Sequence, residues 1–459
     1  MALRGGMRKL LTTMILLLSI SVLNVSPVFA ETDVPNIVAE TGVVIDARTG
    51  VVLYNKQMDK QEEPASTTKM ITGLLAMENL EPDQVVTIDA ETPFTKGSRI
   101  YLLEGEQITV KNLLYALFLE SANDSAVALA KEMGGTVENF AELMNERAKE
   151  LGAKNTNFIN PNGLHSDGHL TTAYDLAMIA KGAMQNETFR QYVSTYQHTV
   201  PATNKQDTRY FYNTNRLLYD TKTKVSANGV LRPAKYEGAI GIKTGYTTEA
   251  GGCLVSGAER NGTELISVVM KSTDGGRFGD SIALLDWGFA NYKTVKTVEQ
   301  GAKLGTIKVT HGKEKELIAI AETDGYATLS IDEKSSTLKK VLKLDEKTTA
   351  PIKKGQNVGT VEWYKGDILV GSVKAVASEA IEKGGLLTAL SITNSKMSKS
   401  YTTMLGFSTF AAAAIAALVT IRNNNIQRRK RRRAERAVKI AKERELDKMY
   451  YNTNKYMDR

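Results

Sequence analysis

The sequence predicts an α+β fold in which an antiparallel sheet is combined with helices and a small all-β domain follows. Residues 40–57 alternate between apolar and polar side chains around a turn at 47–50, which is typical of a β-hairpin. Helical patterns dominate from 66 to about 184, and residues 238–272 then show three strand patterns separated by glycine-containing turns. Strands that precede and follow a block of helices favour an α+β domain over a βαβ alternation.

This first domain is expected to span residues 31–292, because a helical pattern, FGDSIALLDWGFANY, closes it near Tyr292. Short β-prone segments with turns between them follow, among them LGTIKVTHG and ELIAIAETDGYATLSID. They predict a separate all-β domain over 293–388. The polar residues 389–400 are expected to form a linker.

Both ends of the chain carry membrane signals. Residues 1–30 have a cationic start, an apolar centre and a small-residue ending, VFA, which predicts a secretory signal peptide; an uncleaved anchor helix is the alternative. Residues 401–421 carry no charge and are long enough to span a bilayer. They predict a single C-terminal transmembrane helix, with a helix lying on the membrane surface as the alternative.

The charge distribution predicts how the chain is oriented. The net charge of +8 divides into +3 for residues 1–30, +9 for 422–459 and −4 for 31–421. A mildly acidic main body argues against nucleic-acid binding. Because basic residues stay on the cytoplasmic side of a span, we expect the main body outside the cell membrane and residues 422–459 as a basic cytoplasmic tail.

Cysteine and histidine usage argues against thiol and metal chemistry. The single cysteine, Cys253, excludes an intramolecular disulfide, and its apolar, strand-like surroundings favour a buried small side chain over a catalytic thiol. His165 and His169 in HSDGH have a metal-like spacing, but the glycines and proline around them favour a loop, and no cysteine or acidic cluster completes a zinc site. No metal ion or other cofactor is expected.

Three short motifs could carry chemistry, and the first is Ser66-x-x-Lys69 in PASTTKM. The two side chains would share one face at the start of a helix, whose backbone N–H groups suit an oxyanion. The lysine could take the serine proton only if burial or a nearby cation lowered its pKa and kept its amine neutral. On its own, the pair favours a helix cap followed by a solvated lysine.

The other two motifs are equally ambiguous when taken alone. Ser121 and Asn123 interrupt two helical patterns and could cap the second helix, or provide a hydroxyl for proton relay and an amide for a substrate carbonyl. Lys243, Thr244 and Gly245 lie on a predicted strand. They could form a turn, or an edge that pairs with an extended peptide while the lysine and threonine engage an anion.

Taken together and in this order, the motifs resemble the set found in penicillin-binding proteins and class A β-lactamases, although Ala122 stands where the middle motif often has aspartate. The stretches FINPNGLHSDGHLTTAYDLAMIA and GIKTGYTTEAGGCLVSGAERNGTELISVVM look like the low-molecular-mass penicillin-binding proteins that are D-alanyl-D-alanine carboxypeptidases. The resemblance covers about 40–290 closely, and the all-β domain and C-terminal anchor more loosely. It implies a β-lactamase/transpeptidase-like catalytic domain.

The resemblance also implies a reaction. A serine-type carboxypeptidase would remove the terminal D-alanine from peptidoglycan stem pentapeptides through an acyl-enzyme, and β-lactam antibiotics would inhibit it at the acyl stage. Ser66 would attack, Lys69 would accept its proton, and Ser121 would relay a proton to the leaving D-alanine. Asn123 and Lys243 would support this network and hold the substrate. A β-lactamase or another serine hydrolase of the same fold is the alternative, although a β-lactamase would have neither the all-β domain nor the tether.

Substrate binding is implied for six residues: Asn123, Lys243, Thr244, Gly245, Tyr246 and Arg277. Thr244 would contact the terminal carboxylate of the substrate, and the backbone N–H groups of Ser66 and Tyr246 would form the oxyanion hole. Arg277, in DGGRFGDS, is either a second contact to that carboxylate or a surface arginine.

Overall fold

The computed structural model describes residues 34–384 and 398–454, with side chains placed for 34–384 and 408–448. The predicted signal peptide, 1–30, lies outside the described residues, as does most of the predicted linker, 389–400.

The chain divides into two compact units. The first combines three segments: residues up to 306, 318–345 and 355–378. The second combines the remaining segments: 307–317, 346–354 and the residues from 379 onward. The boundary that the sequence predicts at 292 stays a prediction.

The first strands of the chain form one central sheet and three small hairpins. These strands are β1 (Thr41–Asp46), β2 (Val52–Lys56), β3 (Val85–Thr87), β4 (Gln107–Thr109), β5 (Gln197–Val200), β6 (Arg209–Tyr212), β7 (Lys224–Ala227), β8 (Val230–Pro233), β9 (Ala239–Thr247), β10 (Gly251–Arg260) and β11 (Thr263–Ser272). The central sheet is antiparallel with the order β2-β1-β11-β10-β9, which leaves β9 at its edge. The hairpin predicted at 40–57 and the three strands predicted at 238–272 are therefore confirmed.

Helices cover both faces of this sheet. They are α1 (Lys69–Asn79), α2 (Val110–Leu119), α3 (Asn123–Gly134), α4 (Val137–Glu150), α5 (Ala173–Ala183), α6 (Glu187–Ser194) and α7 (Gly276–Asn291). Val43 and Ile45 of β1 pack into a core with α1 to α6, whereas Val44 between them packs into a second core with α7. Alternate side chains of a strand point to opposite faces. A sheet covered on both faces therefore buries every residue of β1, TGVVID, with the apolar run VVI at its centre.

The predicted all-β region is confirmed as strands in the described residues. These are β12 (Tyr292–Val298), β13 (Lys303–Thr310), β14 (Glu316–Ala321), β15 (Gly325–Ser330), β16 (Lys339–Leu344), β17 (Lys347–Thr349), β18 (Asn357–Lys365) and β19 (Ile368–Ala377). In the first unit, β12 pairs with β15, and β16, β18, β19 and β14 pair in that order. In the second unit, residues 308–310 run parallel to β17.

The carboxylate of Asp46, at the end of β1, ties the β12–β15 pair to the central sheet within the first unit. Asp46 is fully buried and accepts hydrogen bonds from the hydroxyls of Thr294 and Thr328 at 2.7 and 2.8 Å. It also accepts from the backbone N–H groups of Arg48 and Thr49. A buried carboxylate is costly unless it is hydrogen-bonded. The two threonine contacts therefore hold the β12–β15 pair against the end of β1.

The last helix, α8 (Ser398–Asn454), contains the residues predicted as a membrane span. Among the described residues, the structure has no helix with an apolar stretch of the length that crossing a membrane requires. The side chains of 401–407, the first third of the predicted span, are not among those described.

Candidate active site

Ser66 lies in a 3-10 turn, Ala65–Thr68, that leads directly into α1. The turn shows no capping hydrogen bond from a side chain, so the interpretation of Ser66 as a helix cap is wrong. The Ser66 Oγ atom is instead 2.8 Å from Nζ of Lys69, and the serine is only partly buried. The serine therefore remains open to a ligand while its hydroxyl faces the lysine.

Lys69 is completely buried, so the interpretation as a solvated lysine is also wrong. Besides the serine, its Nζ contacts Oδ1 of Asn123 and the carbonyl oxygen of Asn162, both at 2.6 Å. Burial, and then the charge of Lys243, hold the pKa of Lys69 well below its usual range, while Asp124 acts in the opposite direction. Lowering by burial is what a neutral amine next to a serine requires.

The turn around Ser66 depends on a close backbone approach. Ala65 has a φ of +47°, which L residues adopt only at a cost in energy. Gly163 crosses the turn so closely that a Cβ atom on it would lie 1.8 Å from the carbonyl oxygen of Ala65. The loop that presents the Asn162 carbonyl to Lys69 is therefore packed directly against the turn that presents Ser66.

Asn123 is the first residue of α3, and its side chain does not cap that helix, so the capping alternative is wrong here too. Its Nδ2 donates to the carbonyl of Lys96 at 2.7 Å and its backbone N–H donates to the carbonyl of Ser98 at 2.7 Å. A Cβ atom on Gly97, between them, would lie 2.6 Å from Asn123 Nδ2. This loop wraps the amide and orients its oxygen towards Lys69.

Ser121 and Lys243 form a second buried pair. Ser121 has a φ of +56°, and its Oγ lies 3.0 Å from Nζ of Lys243, which also donates to the carbonyl of Thr244 at 3.0 Å. Lys243 is 1% exposed. Burial, and then the charge of Arg277, lower the pKa of Lys243 to about 7.

Three further predicted residues, Thr244, Gly245 and Tyr246, lie on the edge strand β9. The Thr244 hydroxyl is 2.7 Å from that of Thr214. A Cβ atom on Gly245 would lie 3.1 Å from the backbone nitrogen of Ser66, so the strand passes directly beside the serine. Tyr246 follows, with a side chain that is 56% exposed. The oxyanion-hole role of the Ser66 and Tyr246 N–H groups stays a prediction.

Arg277, near the start of α7, is not a surface residue, because its side chain is only 11% exposed. Its Nη1 donates to the carbonyl of Gly245 at 2.9 Å, and Nη2 lies 2.8 Å from Asp274. The guanidinium thus holds the backbone of β9 next to Lys243. Its contact with a substrate carboxylate stays a prediction.

The cysteine and the histidines have other surroundings. Cys253 is fully buried, as predicted, and burial raises the pKa of its thiol to about 11. His169 is buried under the serine turn, accepts from the N–H of Ile159 and contacts the Thr68 hydroxyl at 2.9 Å; burial lowers its pKa to about 4. His165 instead contacts Glu63. No group of three or more potential metal ligands occurs in the part of the chain that the structure describes.

Sequence reasoning missed three contributors to the site: Asn162, Thr214 and Gly163. Asn162 acts through its backbone carbonyl, which any residue possesses, and Thr214 acts through one hydroxyl contact from a distant segment. The only available signal for Gly163 was a glycine after Pro-Asn, which equally predicts an ordinary turn.

A serine hydroxyl whose neighbouring base is a buried lysine, on a helix beneath the edge of an antiparallel sheet, defines a class of serine acyl-transfer enzymes. Comparison with known proteins identifies the group within this class. The chain belongs to the D-alanyl-D-alanine carboxypeptidase family, whose model matches residues 28–274. A second model, for the C-terminal domain of penicillin-binding protein 5, matches residues 292–383.

Individual relatives agree with this assignment. The chain is 34% identical to D-alanyl-D-alanine carboxypeptidase DacF of Bacillus subtilis over 84% of this chain and 97% of the relative. It is 36% identical to the D-alanyl-D-alanine carboxypeptidase of Streptomyces sp. strain K15 over 60% of this chain and 94% of that protein. The crystal structure of penicillin-binding protein 5 from Haemophilus influenzae is similar with a TM-score of 0.60 at 31% identity, covering 76% of this chain and 99% of that one.

Gly163→Ala should disrupt the serine turn. The added Cβ would meet the Ala65 carbonyl, and the backbone would be strained at a φ of +81°. We expect the rate of Ser66 acylation by a serine-reactive probe to fall by about 100-fold or more, corresponding to about 2.7 kcal/mol.

Gly168→Ala is the matched control, because Gly168 has nearly the same φ, +82°, while its Cβ would approach only Asn157, at 3.7 Å. This variant should lose about 1–2 kcal/mol of stability to backbone strain and keep its acylation rate. Equal acylation rates in the two variants would show that the contact with Ala65 does not position Ser66.

Proposed function

We propose that this protein is a serine-type D-alanyl-D-alanine carboxypeptidase that removes the terminal D-alanine from peptidoglycan stem pentapeptides. The observation that carries the proposal is the 2.8 Å contact between Ser66 Oγ and a Lys69 Nζ that is buried and has its pKa lowered. The family and the named relatives support the same reaction.

The contacts of Lys69 imply which way the protons point. The Asn162 carbonyl can only accept, and Oδ1 of Asn123 also accepts because its Nδ2 is committed to the Lys96 carbonyl. A neutral amine has two N–H groups and one lone pair. The two carbonyl oxygens accept hydrogen bonds from these N–H groups. The lone pair is therefore left to accept the proton of the Ser66 hydroxyl.

The first chemical step forms the acyl-enzyme. Lys69 takes the Ser66 proton as Oγ attacks the carbonyl carbon between the two D-alanines, and the carbonyl oxygen becomes an oxyanion. The backbone N–H groups of Ser66 and Tyr246 are proposed to stabilise that charge, and the close approach of β9 to the serine supports this role.

The second half of the step releases D-alanine. The carbon–nitrogen bond breaks and the leaving amine takes a proton from the Ser121 hydroxyl, which is replenished by Lys243 at 3.0 Å. The proton that Lys69 took from Ser66 passes on to Lys243, so both lysines regain their starting charge. Water then attacks the acyl carbon and gives a proton to Lys69, which returns it to Ser66 Oγ as the bond between Oγ and the acyl carbon breaks and the shortened peptide is freed. A penicillin carries a comparable carbonyl and would remain bound at the acyl stage.

The substrate carboxylate is bound on the β9 side of the site. A protonated Lys243 and the Thr244 hydroxyl offer a charge and a hydrogen bond there, and Arg277 holds the strand that carries them. The pairing of an anion with a cation in a buried site is stronger than in water. This arrangement favours a peptide with a free C-terminus.

The protein is further proposed to act outside the cell membrane, exported by residues 1–30 and tethered by 401–421. The uncharged run of 401–421 and the +9 net charge of residues 422–459 support this orientation. The tail would then be cytoplasmic.

Ser66→Ala should abolish covalent uptake of labelled penicillin and lower D-alanine release from a pentapeptide by several orders of magnitude. Ser256→Ala, which removes a buried hydroxyl without a hydrogen-bond partner in the described structure, should retain both activities. Continued labelling of the Ser66→Ala protein would exclude the proposed nucleophile. Fast penicillin turnover without D-alanine release would indicate a β-lactamase instead.

The kcat/KM for a peptide with a free C-terminal carboxylate should fall as the pH rises above about 7. Lys243 is charged below its pKa of about 7 and loses the charge that attracts the carboxylate above it. In Lys243→Arg the cation persists, so this alkaline limb should disappear. If kcat/KM of Lys243→Arg still fell with the same midpoint, the titration of another group would be responsible for the fall.

Truncation after residue 400 should release the protein into the soluble fraction. The full chain should resist extraction from membranes with alkaline carbonate, because a spanning helix inserts far more tightly than a surface helix. Release of the full chain by carbonate would favour the surface-helix alternative. A truncated protein that stays in the membrane would place the anchor elsewhere.

A further inference from the structure

We propose that residues 92–103, called the crest below, form a subsite in which Arg99 and Tyr101 bind a side-chain carboxylate in the acyl part of the peptide substrate. The ligand class is a peptide whose residue before D-Ala-D-Ala carries a free carboxylate on an aliphatic side chain. The inference rests on the proposed function and names the substrate that the same site prefers.

The backbone of Tyr101 is strained. Its φ is +61°, a left-handed conformation that is costly for an aromatic residue and uncommon outside glycine and asparagine. The side chain gains little from packing, because it is 65% exposed. A fold that kept Tyr101 here for stability alone would be better served by glycine.

The surrounding structure nevertheless holds Tyr101 from both sides. The buried carboxylate of Asp124 accepts from the N–H groups of Ile100 and Leu102 at 3.2 and 3.1 Å. Gln206, from the loop between β5 and β6, donates to the Tyr101 carbonyl at 2.7 Å. Backbone strain that the surroundings enforce in this way is concentrated at functional sites, which points to a function for Tyr101.

The crest borders the active site. Lys96 and Ser98 accept hydrogen bonds from the side chain and backbone of Asn123, and Asn123 in turn contacts Lys69. The leaving D-alanine, with its carboxylate, is assigned to the β9 side. The acyl part of the substrate must therefore leave the serine in another direction, and the crest lies beside the amide of Asn123 that would bind its backbone.

The chemistry of the crest suits an acidic and partly apolar ligand. The Arg99 guanidinium lies 4.9 Å from the Tyr101 ring centre and donates only long hydrogen bonds, at 3.2 and 3.4 Å, to the carbonyls of Pro93 and Thr95. Among the described residues no carboxylate forms an ion pair with it. Phe94 is 81% exposed nearby in the chain. A cation held against an aromatic ring, without an acid of its own among the described residues, can accept a carboxylate and the methylene groups that carry it.

The test uses the purified full-length protein and two synthetic peptides ending in D-Ala-D-Ala. The preceding residue is diaminopimelate in one peptide, with a free side-chain carboxylate, and the amidated diaminopimelate in the other. We expect kcat/KM to favour the free carboxylate by about three- to tenfold, as for a single exposed ion pair with an aromatic contact. Arg99→Ala should reduce this preference to about one, and Arg99→Lys should retain part of it.

Lys149→Ala is the control for charge, since Lys149 is an exposed cation on α4, and it should leave the preference unchanged. Tyr101→Gly should raise the thermal midpoint by relieving strain and lower kcat/KM for both peptides. His311→Gly relieves a similar φ, +57°, in the β region and should raise the midpoint without changing kcat/KM.

Equal kcat/KM for the two peptides, or a preference that survives Arg99→Ala, would overturn the proposed subsite. Equal values are also the result expected if the crest bound a protein partner instead. Failure of the proposed function is distinguishable, because the unaltered protein would then neither take up labelled penicillin nor release D-alanine from either peptide.

Discussion

The Lys69 Nζ atom sits 2.8 Å from the Ser66 hydroxyl in a position that water does not reach, and its surroundings hold its pKa well below the usual range. An ammonium ion loses its hydration when buried, which lowers its pKa, and a second lysine nearby lowers it further. A neutral Lys69 amine still has two N–H groups, and each needs a hydrogen-bond acceptor in this buried position. The carbonyl oxygens of Asn123 and Asn162 accept them, and the lone pair then has one partner, the serine.

Three glycines allow the necessary backbones to converge on this pair. Gly163 carries the Asn162 carbonyl against the serine turn, Gly97 lets a loop wrap the amide of Asn123, and Gly245 brings the edge strand to the backbone nitrogen of Ser66. A Cβ atom at the first two would meet neighbouring atoms at 1.8 and 2.6 Å, and at the third at 3.0 Å. Close packing around a reacting atom is thus obtained with backbone, which positions carbonyl and N–H groups more rigidly than long side chains do.

The sequence alone was sufficient for the layers of the fold and for the side chains of the three motifs, because periodicity and residue type carry that information. It was insufficient wherever a contact depends on long-range geometry. Ser66 and Asn123 both looked like helix caps, since nothing in the local sequence shows that their side chains will contact Lys69 instead of capping a helix. The carbonyl of Asn162 and the hydroxyl of Thr214 come from segments that are distant in sequence and carry no signature of their role. Asp46 likewise contacts Thr328 across 282 positions, which no local pattern encodes.

Two lysines of the same type thereby acquire different tasks from their surroundings, as expected where neighbouring titratable groups have their pKa values pushed apart. Lys243 has a pKa of about 7 and can hold a proton near neutrality, whereas burial, and then the charge of Lys243, lower the pKa of Lys69 and favour its free base. A carboxylate that paired directly with Lys69 would restore its charge and remove the base. Asp124 is the acid that acts on Lys69, and its oxygens are turned to the N–H groups of Ile100, Leu102 and Ser125. Its negative charge is therefore used to hold the loop beside the site, and no carboxylate of the described residues is in hydrogen-bond contact with Lys69.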